Sequence, residues 1–349
     1  GIRGEFTDRY SDFPDLSILE NTITDNSYGI YLEGETSYNY KSYYINVTAD
    51  VHRNSIYDNE LYGLYVIDSE NRYRDIVNAS NNWWGTTKMD SVALDQIYDN
   101  SDHGRSPLVE FVPYLDGANG SSTEGDYIQG WIEEEQLQST DYIMVGHLYV
   151  NGELTIAAGS NIEVAGNYKL ETHGLLNING TSESEVIFTS FSDEPQPGDW
   201  QGIRFERPSD NFSSQISHAV IEHAENGIYL NQLRSDPYQE PEITYTEFAY
   251  INNNGIYCNE STGQITNCLI NNFKNHGVFI TGSGSDVDII NSSISQSFTF
   301  DYDYRNTGRG IYARNGATAN LSGNTITMCE SGIRGEFTDR YSDFPDLSI

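Results

Sequence analysis

The sequence has little positive charge. It contains four lysines, and its 18 Lys and Arg residues stand against 52 Asp and Glu, which gives a net charge of −34. A surface this acidic repels nucleic-acid phosphates and anionic lipid head groups, so neither is expected as a partner. The excess of acid indicates either a solvated surface suited to a salty medium or acidic loops that bind divalent cations.

Cysteine and long apolar runs are also scarce. Cys258, Cys268 and Cys329 form an odd set without metal-ligand spacing, and no disulfide is predicted among them. No apolar run approaches the roughly eighteen residues that a membrane-spanning helix needs, so no membrane span is expected. Aromatic residues reach 13% and Tyr, Asn and Gly are abundant, which argues against disorder and favours a β protein rich in turns.

One long segment is present twice. Residues 1–18 recur without change as residues 332–349, so the two copies begin 331 residues apart. This predicts one period of 331 residues followed by the start of the next. Two arrangements produce such a match, namely tandem modules in one polypeptide and subunits of a filament. We therefore interpret the sequence as a circle.

A much shorter pattern recurs along this circle. A glycine is followed by an aliphatic residue, then by a residue expected to point outward, and usually by another apolar residue. Because side chains alternate along a strand, the aliphatic residues should form a continuous inner column. Intervals of 22 to 34 residues predict one solenoid coil per pattern, with insertions in the longer coils. The glycines are Gly202, Gly227, Gly255, Gly277, Gly310, Gly332, Gly29 and Gly63.

A second short strand in an Asn-rich setting precedes several of these glycines. Asn324, Asn21, Asn54 and Asn267 each lie immediately before such a strand. Asparagine tolerates the left-handed conformation of a tight corner, and its amide can bond to the asparagine of the next coil. The corners of the coils are therefore predicted to carry stacked asparagines.

Several longer motifs resemble known β-helix sequences. Short alternating strands at residues 142–190 end in VIFTS and are followed by DWQGIRF at residues 199–205, and NNWWGT occupies residues 81–86. In this order they resemble secreted right-handed parallel β-helix repeat proteins, the pectate-lyase-like and NNWWG-type solenoids, and look similar to archaeal cell-surface tandem-repeat proteins. The resemblance implies an all-β, right-handed parallel β-helix. It does not imply one activity, because this architecture hosts lyases, hydrolases, adhesins and structural proteins.

The same motifs predict the domain boundaries. Residues 1–116 are expected to form the C-terminal coils and closing segment of one β-helix, and residues 127–349 the N-terminal cap and coils of the next. Residues 117–126, GANGSSTEGD, are expected to form a flexible linker between them. The period is thus read in a circularly shifted register.

The outward column beside the core is mostly aromatic, and rungs about 4.8 Å apart should stack these rings into a ladder. Three roles stay open: stacking that only shields the sheet, an interface for another filament or loop, and a platform for sugar rings. Arg204, Arg3 and its copy Arg334 occupy the same column. The candidate interface residues are Tyr31, Tyr65, Tyr229, Tyr257, Phe279 and Tyr312.

Acidic residues in strands and insertions are candidate Ca²⁺ ligands. Asp286 and Asp288 alternate on one predicted strand, and Asp301 and Asp303 lie in a Tyr-rich insertion. Neither pair matches a twelve-residue calcium loop, and a solvated acidic edge is the alternative. No Asp pair recurs on neighbouring rungs of one face, as a lyase or hydrolase of this architecture would use. No catalytic residue and no cofactor other than Ca²⁺ is therefore assigned, and the chain is not expected to be an enzyme.

Eight N-glycosylation motifs support an extracellular glycoprotein carrying N-linked glycans. The motif asparagines are Asn46, Asn78, Asn119, Asn179, Asn211, Asn259, Asn291 and Asn320.

These observations lead to one functional expectation and one alternative. We expect a structural module of an extracellular filament, sheath or surface layer, on an archaeal cell, whose partners are copies of itself. An uncapped coil exposes strand edges and an apolar cross-section that the next unit can cover. The alternative is a carbohydrate-binding or carbohydrate-cleaving β-helix repeat protein.

Overall fold

The computed structural model describes residues 1–6, 16–34, 49–68, 76–104, 106–138, 140–207, 213–233, 241–296, 308–336 and 346–348. The chain divides into two compact units. Unit 1 comprises residues 1–130 and 145–147, and unit 2 comprises residues 131–144 and 148–349. Asn46, Asn211, Asp301 and Asp303 lie outside the described residues, so the predictions made for them stay predictions.

Unit 1 consists mainly of short strands. A three-residue α-helix, α1 (Met89–Ser91), and a π-helical segment (Val92–Gln96) interrupt them. The strands are β1 (Ile2–Phe6), β2 (Leu16–Leu19), β3 (Thr22–Ile23), β4 (Tyr28–Gly34), β5 (Ala49–His52), β6 (Ser55–Ile56), β7 (Tyr62–Asp68), β8 (Ile76–Asn78), β9 (Ile97–Tyr98) and β10 (Leu108–Glu110).

The chain continues in strands alone. They are β11 (Tyr127–Leu137), β12 (Asp141–Ala157), β13 (Asn161–Val164), β14 (Lys169–Thr172), β15 (Leu175–Asn179), β16 (Val186–Ser190), β17 (Gly202–Phe205), β18 (Gln215–Ser217), β19 (Ala219–Glu222), β20 (Ile228–Asn231), β21 (Glu242–Thr244), β22 (Glu247–Ala249), β23 (Asn254–Asn259), β24 (Thr262–Thr266), β25 (Leu269–Asn271), β26 (His276–Thr281), β27 (Asp286–Ile290), β28 (Ser293–Ser295), β29 (Arg309–Arg314), β30 (Thr318–Ser322), β31 (Thr325–Thr327), β32 (Ser331–Glu336) and β33 (Asp346–Ser348).

Each coil of unit 2 contains three strands. From β13 onward every strand pairs in parallel with the third strand after it, so three parallel sheets run side by side around one core. In unit 1, β1, β4, β7 and β9 form one parallel sheet and β2, β5, β8 and β10 form another. The fold is therefore a parallel β-helix, and the predicted fold class is confirmed.

The Gly-Ile pattern lies in one sheet of each unit, which we call its Gly-Ile face. In unit 2 the pairing aligns Ile203, Ile228, Ile256, Val278, Ile311 and Ile333 in the predicted column. In unit 1 it aligns Ile2, Ile30 and Leu64. Ile97 extends that second column, although Gln96 stands where the other rungs have glycine. The sequence pattern missed this rung for that reason.

The glycines of this face are required by close packing between coils. A Cβ atom built on Gly255 would lie 2.7 Å from the carbonyl oxygen of Gly277 and 2.5 Å from Cγ2 of Ile270. Gly227, one coil earlier, would meet the carbonyl oxygen of Gly255 at 2.5 Å. Each glycine thus makes room for the backbone of the next coil.

Single residues in the left-handed conformation turn the chain at the corners. In unit 2 these include Asn267, Asn272 and Asn291, with φ between 52° and 56°. Asparagine adopts this conformation more readily than most residues, so one residue completes a sharp corner without a glycine. The predicted preference for asparagine at corners is confirmed.

Stacked asparagines bond from coil to coil in unit 1. The side-chain oxygen of Asn54 accepts hydrogen bonds from the backbone and side-chain nitrogens of Asn21, at 2.9 and 3.1 Å. Asn54 donates in the same way to Asn82, at 2.9 and 3.0 Å. The predicted asparagine ladder is present here.

Residues 117–126 include an ordered turn of unit 1. Leu115 and Ser122 form an antiparallel bridge, Gly120 N–H donates to the carbonyl of Gly117, and Ser122 Oγ donates to the side chain of Asn81. The segment is therefore folded onto the unit at this turn. Its role as a linker between successive β-helices stays a prediction.

Candidate functional site

The outward column of the Gly-Ile face of unit 2 is a continuous stack. The ring centroids of Tyr229 and Tyr257 are 4.7 Å apart, those of Tyr257 and Phe279 are 4.8 Å apart, and those of Phe279 and Tyr312 are 5.2 Å apart. Arg204 covers the Tyr229 ring at 4.6 Å. The strand register therefore places the predicted rings face to face, at the spacing of the coils.

Unit 1 has a matching stack. Tyr31 and Tyr65 lie 5.1 Å apart, and Tyr65 and Tyr98 lie 4.4 Å apart. Tyr98 was not predicted because its rung lacks the glycine that marks the others. Burial raises the pKa of Tyr65 to about 12, so its hydroxyl stays neutral and the stack carries no phenolate charge near neutral pH.

The exposure of the rings differs along the two stacks. Phe279 and Tyr312 are only 8% and 4% exposed, so these two side chains offer little surface to a partner. Tyr31, Tyr65, Tyr229 and Tyr257 are half-buried and keep part of each ring in contact with solvent. Any external contact of the ladder would therefore involve these four tyrosines first.

A basic cluster covers the far end of the unit 2 stack. The Arg309 guanidinium lies 4.9 Å from the Tyr312 ring, and that of Arg314 lies 4.9 Å from the Phe279 ring. The His276 ring meets Tyr312 edge-on at 4.9 Å. Burial, helped by the charges of Arg309 and Arg314, lowers the pKa of His276 to about 4. His276 is therefore neutral near pH 7 and packs as an aromatic ring.

A second charged cluster lies beside Arg204 and was not predicted. Lys169 Nζ donates to Glu171 at 2.6 Å, His173 Nε2 lies 3.1 Å from the same carboxylate, and Arg204 pairs with both Glu171 and Glu206. Residues 169, 171 and 173 alternate along one strand and its end, so their side chains point the same way. That spacing was the available signal in the sequence.

The electrostatics of this cluster favour ion pairs over acid–base chemistry. Burial alone would raise the pKa of Glu171, but hydrogen bonds from His173 and Lys169 outweigh it and lower that pKa to about 2. The hydrogen bond to Glu171 in turn raises the pKa of His173. A glycosidase needs one carboxyl group with a raised pKa as its proton donor. Glu171 is held in the opposite state.

A polar groove of about 510 Å³ lies in unit 1, between Leu19, Asp50, His52, Arg53 and neighbouring residues. His52 Nε2 lies 3.6 Å from Asp50 and its Nδ1 contacts the carbonyl of Ser80 at 3.0 Å. Both ring nitrogens are therefore engaged. This arrangement leaves His52 without a nitrogen directed at a nucleophile, as acyl transfer would need.

The candidate calcium ligands Asp286 and Asp288 share one amide. Nδ2 of Asn320, one coil away, donates to both carboxylates, at 3.2 and 2.9 Å. Ca²⁺ takes six to eight oxygen ligands, and an N–H donor between two carboxylates occupies part of that space. Within the described residues there is no group of three or more His, Cys, Asp or Glu that could hold a metal ion. Calcium binding stays a prediction.

The described glycosylation motifs differ in accessibility. Asn119, Asn179 and Asn291 are exposed, and Asn78 is half-buried. Asn259 donates from Nδ2 to Asn231 at 2.8 Å, and Asn320 bonds to the two aspartates. Attachment of a glycan uses this same nitrogen, so Asn119, Asn179 and Asn291 are the motifs that are freest to react.

The cysteines do not pair. Cys258 and Cys268 are buried and Cys329 is half-buried, and all three are free thiols. Burial raises the pKa of Cys258 to about 12 and that of Cys268 to about 11, which keeps both as unreactive apolar side chains.

Comparison with known proteins supports the fold. Residues 226–342, about a third of the chain, match a family model described as "Right handed beta helix region". No curated protein and no solved structure matches the chain significantly. No helix in the described residues is long and apolar enough to cross a membrane. β-Helix domains occur in both enzymes and non-enzymes, so the match identifies an architecture and leaves the activity open.

Proposed function

We propose that the chain is a structural module of an extracellular filament, sheath or surface layer, assembled in tandem or head to tail from copies of itself. The observation that carries this proposal is the position of the repeated segment. β1 pairs with β4 and β32 pairs with β29, and neither has a second parallel partner among the described strands of its Gly-Ile face. The same sequence thus forms two open edges that face opposite neighbours.

The open edge at β32 exposes apolar side chains that other rungs bury. Ile333 is 36% exposed, whereas Ile311, its neighbour in the same column, is fully buried. Met328, at the preceding corner, is 75% exposed. An unpaired parallel strand beside exposed apolar groups is a template for a further coil.

The charge of the chain sets the conditions for assembly. With a net charge of −34, copies repel one another until salt screens them over a Debye length of about 8 Å at physiological ionic strength. Assembly should therefore increase with ionic strength. If Ca²⁺ also bridges acidic loops, EDTA should loosen the assembly; filaments unchanged in EDTA would remove calcium from the proposal.

The test compares two isoleucines of equal exposure. Ile333 at the β32 edge and Ile187 in the interior rung β16 are each 36% exposed. We expect Ile333→Glu to abolish end-to-end oligomers, measured by light scattering and electron microscopy at rising NaCl. Ile187→Glu should leave them unchanged. Monomers at every ionic strength in the unmodified protein, or equal effects of the two variants, would contradict the proposal.

Carbohydrate binding is the second candidate, and the half-exposed rings of Tyr229 and Tyr257 favour it because sugar rings stack on such surfaces. The structural proposal includes the absence of catalysis. Incubation with acidic polysaccharides should therefore release no unsaturated or shortened sugars. Release of such products, lost on Tyr257→Ala, would replace the structural function with this second one.

A further inference from the structure

We propose that residues 1–5 and 332–336 represent one and the same rung of the assembled protein. A single Gly-Ile-Arg-Gly-Glu strand would lie between β29 of one period and β4 of the next, so that each joint contains one such rung. This inference rests on the proposed function, and it specifies how two copies are joined.

Strand register supports a shared rung. Ile333 pairs with Ile311 and Arg334 with Tyr312 on the β29 side. Ile2 pairs with Ile30 and Arg3 with Tyr31 on the β4 side. Both pairings are parallel, and both place the isoleucine on the core column and the arginine on the aromatic column. One strand can therefore satisfy both neighbours without a change of register.

The arginine contacts are complementary. The Arg334 guanidinium lies 5.7 Å from the Tyr312 ring, on the side of the preceding coil. The Arg3 guanidinium lies 5.3 Å from the Tyr31 ring and 3.1 Å from the Glu33 carboxylate, on the side of the following coil. In a shared rung one arginine is enclosed by two tyrosines. Two successive copies would instead place like charges on adjacent rungs, about 4.8 Å apart.

The glycines give independent support. A Cβ atom on Gly310 would lie 2.5 Å from the carbonyl oxygen of Gly332, and one on Gly1 would lie 2.9 Å from that of Gly29. A Cβ atom on Gly332 meets nothing closer than Cγ2 of Ile326, at 3.7 Å. Nothing around Gly332 therefore requires a glycine. A following coil with the geometry seen beside Gly1 supplies that requirement.

An open cavity lies on the other side of the same rung. It has a volume of about 530 Å³ and is lined by residues that include Gly1, Ile2, Arg3, Tyr28 and Tyr31. In unit 2 the corresponding side of β32 is covered by β29. We assign the β29 coil of a preceding copy as the occupant of this cavity, since it already packs against an identical strand.

Two chains of two periods test the shared rung. In the first, residue 331 is followed directly by a second complete chain; in the second, residue 349 is followed by a complete chain, so the segment is duplicated at the joint. Limited trypsin digestion is followed by mass spectrometry, because each arginine of the repeated segment is a cleavage site whose products have distinct masses.

In the first chain we expect cleavage after the joint arginine to be at least tenfold slower than after the arginine of the last, open rung. In the second chain, one of the two joint arginines should be protected and the other cleaved at the open-rung rate. Fast cleavage at the joint of the first chain would overturn the proposal. Protection of both joint arginines in the second chain would also overturn it, because the joint would then hold two rungs.

The arginine sandwich has its own control. In the first chain, Tyr312→Ala of the first period and Tyr31→Ala of the second should each speed cleavage at the joint several-fold, whereas Tyr98→Ala should not. Equal effects of all three would contradict the sandwich. A protected joint in a protein that forms no filaments would reject self-assembly and retain the shared rung, so the two proposals fail separately.

Discussion

Buried amides bond the corners of unit 1 from coil to coil. Asn54 is fully buried, and its side chain also donates to the carbonyls of Ile18 and His52, at 2.8 and 3.0 Å. Every polar atom of this side chain is thus paired inside the protein. A buried amide of this kind stabilises the fold mainly because its loss leaves several partners without hydrogen bonds.

Removal of this amide should be costly. We expect Asn54→Ala to lower the free energy of unfolding by about 2–3 kcal/mol, because it leaves the Asn21 amide without its acceptor. Urea denaturation measures the change. Asn119→Ala is the control, since Asn119 is an exposed residue of unit 1, and it should change stability by less than about 0.5 kcal/mol. Similar losses in both variants would show that the ladder contributes nothing specific.

The Glu171–His173 pair predicts a pH dependence. The raised pKa of His173 means that its contribution is complete below the unfolded value of about 6.5 and is lost as pH rises through the folded value. The lowered pKa of Glu171 means that its contribution is complete above the unfolded value of about 4.3 and is lost as pH falls towards about 2. The pair therefore stabilises most between about pH 4.5 and 6.5.

This dependence is measured by comparing unfolding of the protein and its His173→Gln variant at pH 6 and pH 9. The variant should lose more stability at pH 6. An NMR titration of His173 should show a midpoint above the ordinary value of about 6.5. A midpoint at or below that value would remove the ion pair from the account.

At the scale of the strand, the glycine column determines how closely coils approach. Gly255→Ala should destabilise the protein by about 1–3 kcal/mol, because its Cβ would lie 2.5 Å from Ile270 and 2.7 Å from the Gly277 carbonyl. Gly332→Ala is the matched control in the same column and should be nearly neutral in the single chain. Thermal unfolding measures both. A neutral Gly255→Ala would show that the coils can separate at no cost.

The strand is also the scale at which the sequence was most informative. Alternation after each glycine predicted the core column and the aromatic ladder, because one register repeats from coil to coil. It missed Tyr98, whose rung begins after Gln96, and the cluster around Glu171. That cluster joins Glu171 to Arg204 across neighbouring strands that are 33 positions apart, as their register pairing shows. Spacing within one segment does not reveal such a contact.

At the scale of the whole molecule, the repeated segment connects fold and function. Each unit is a parallel β-helix, and the open edges at β1 and β32 carry the same sequence in the same register. Strands in such an edge add neighbours along the axis of the helix, whereas the half-exposed tyrosines face sideways. Growth through the edges therefore predicts filaments in which the strands lie across the filament axis.

Fibre diffraction from aligned filaments tests this most directly. End-to-end growth predicts a sharp reflection near 4.8 Å along the filament axis, which is the spacing between coils. The reflection should vanish together with the filaments in the Ile333→Glu variant. A 4.8 Å reflection perpendicular to the axis would show lateral growth through another surface and would contradict end-to-end assembly of β-helices.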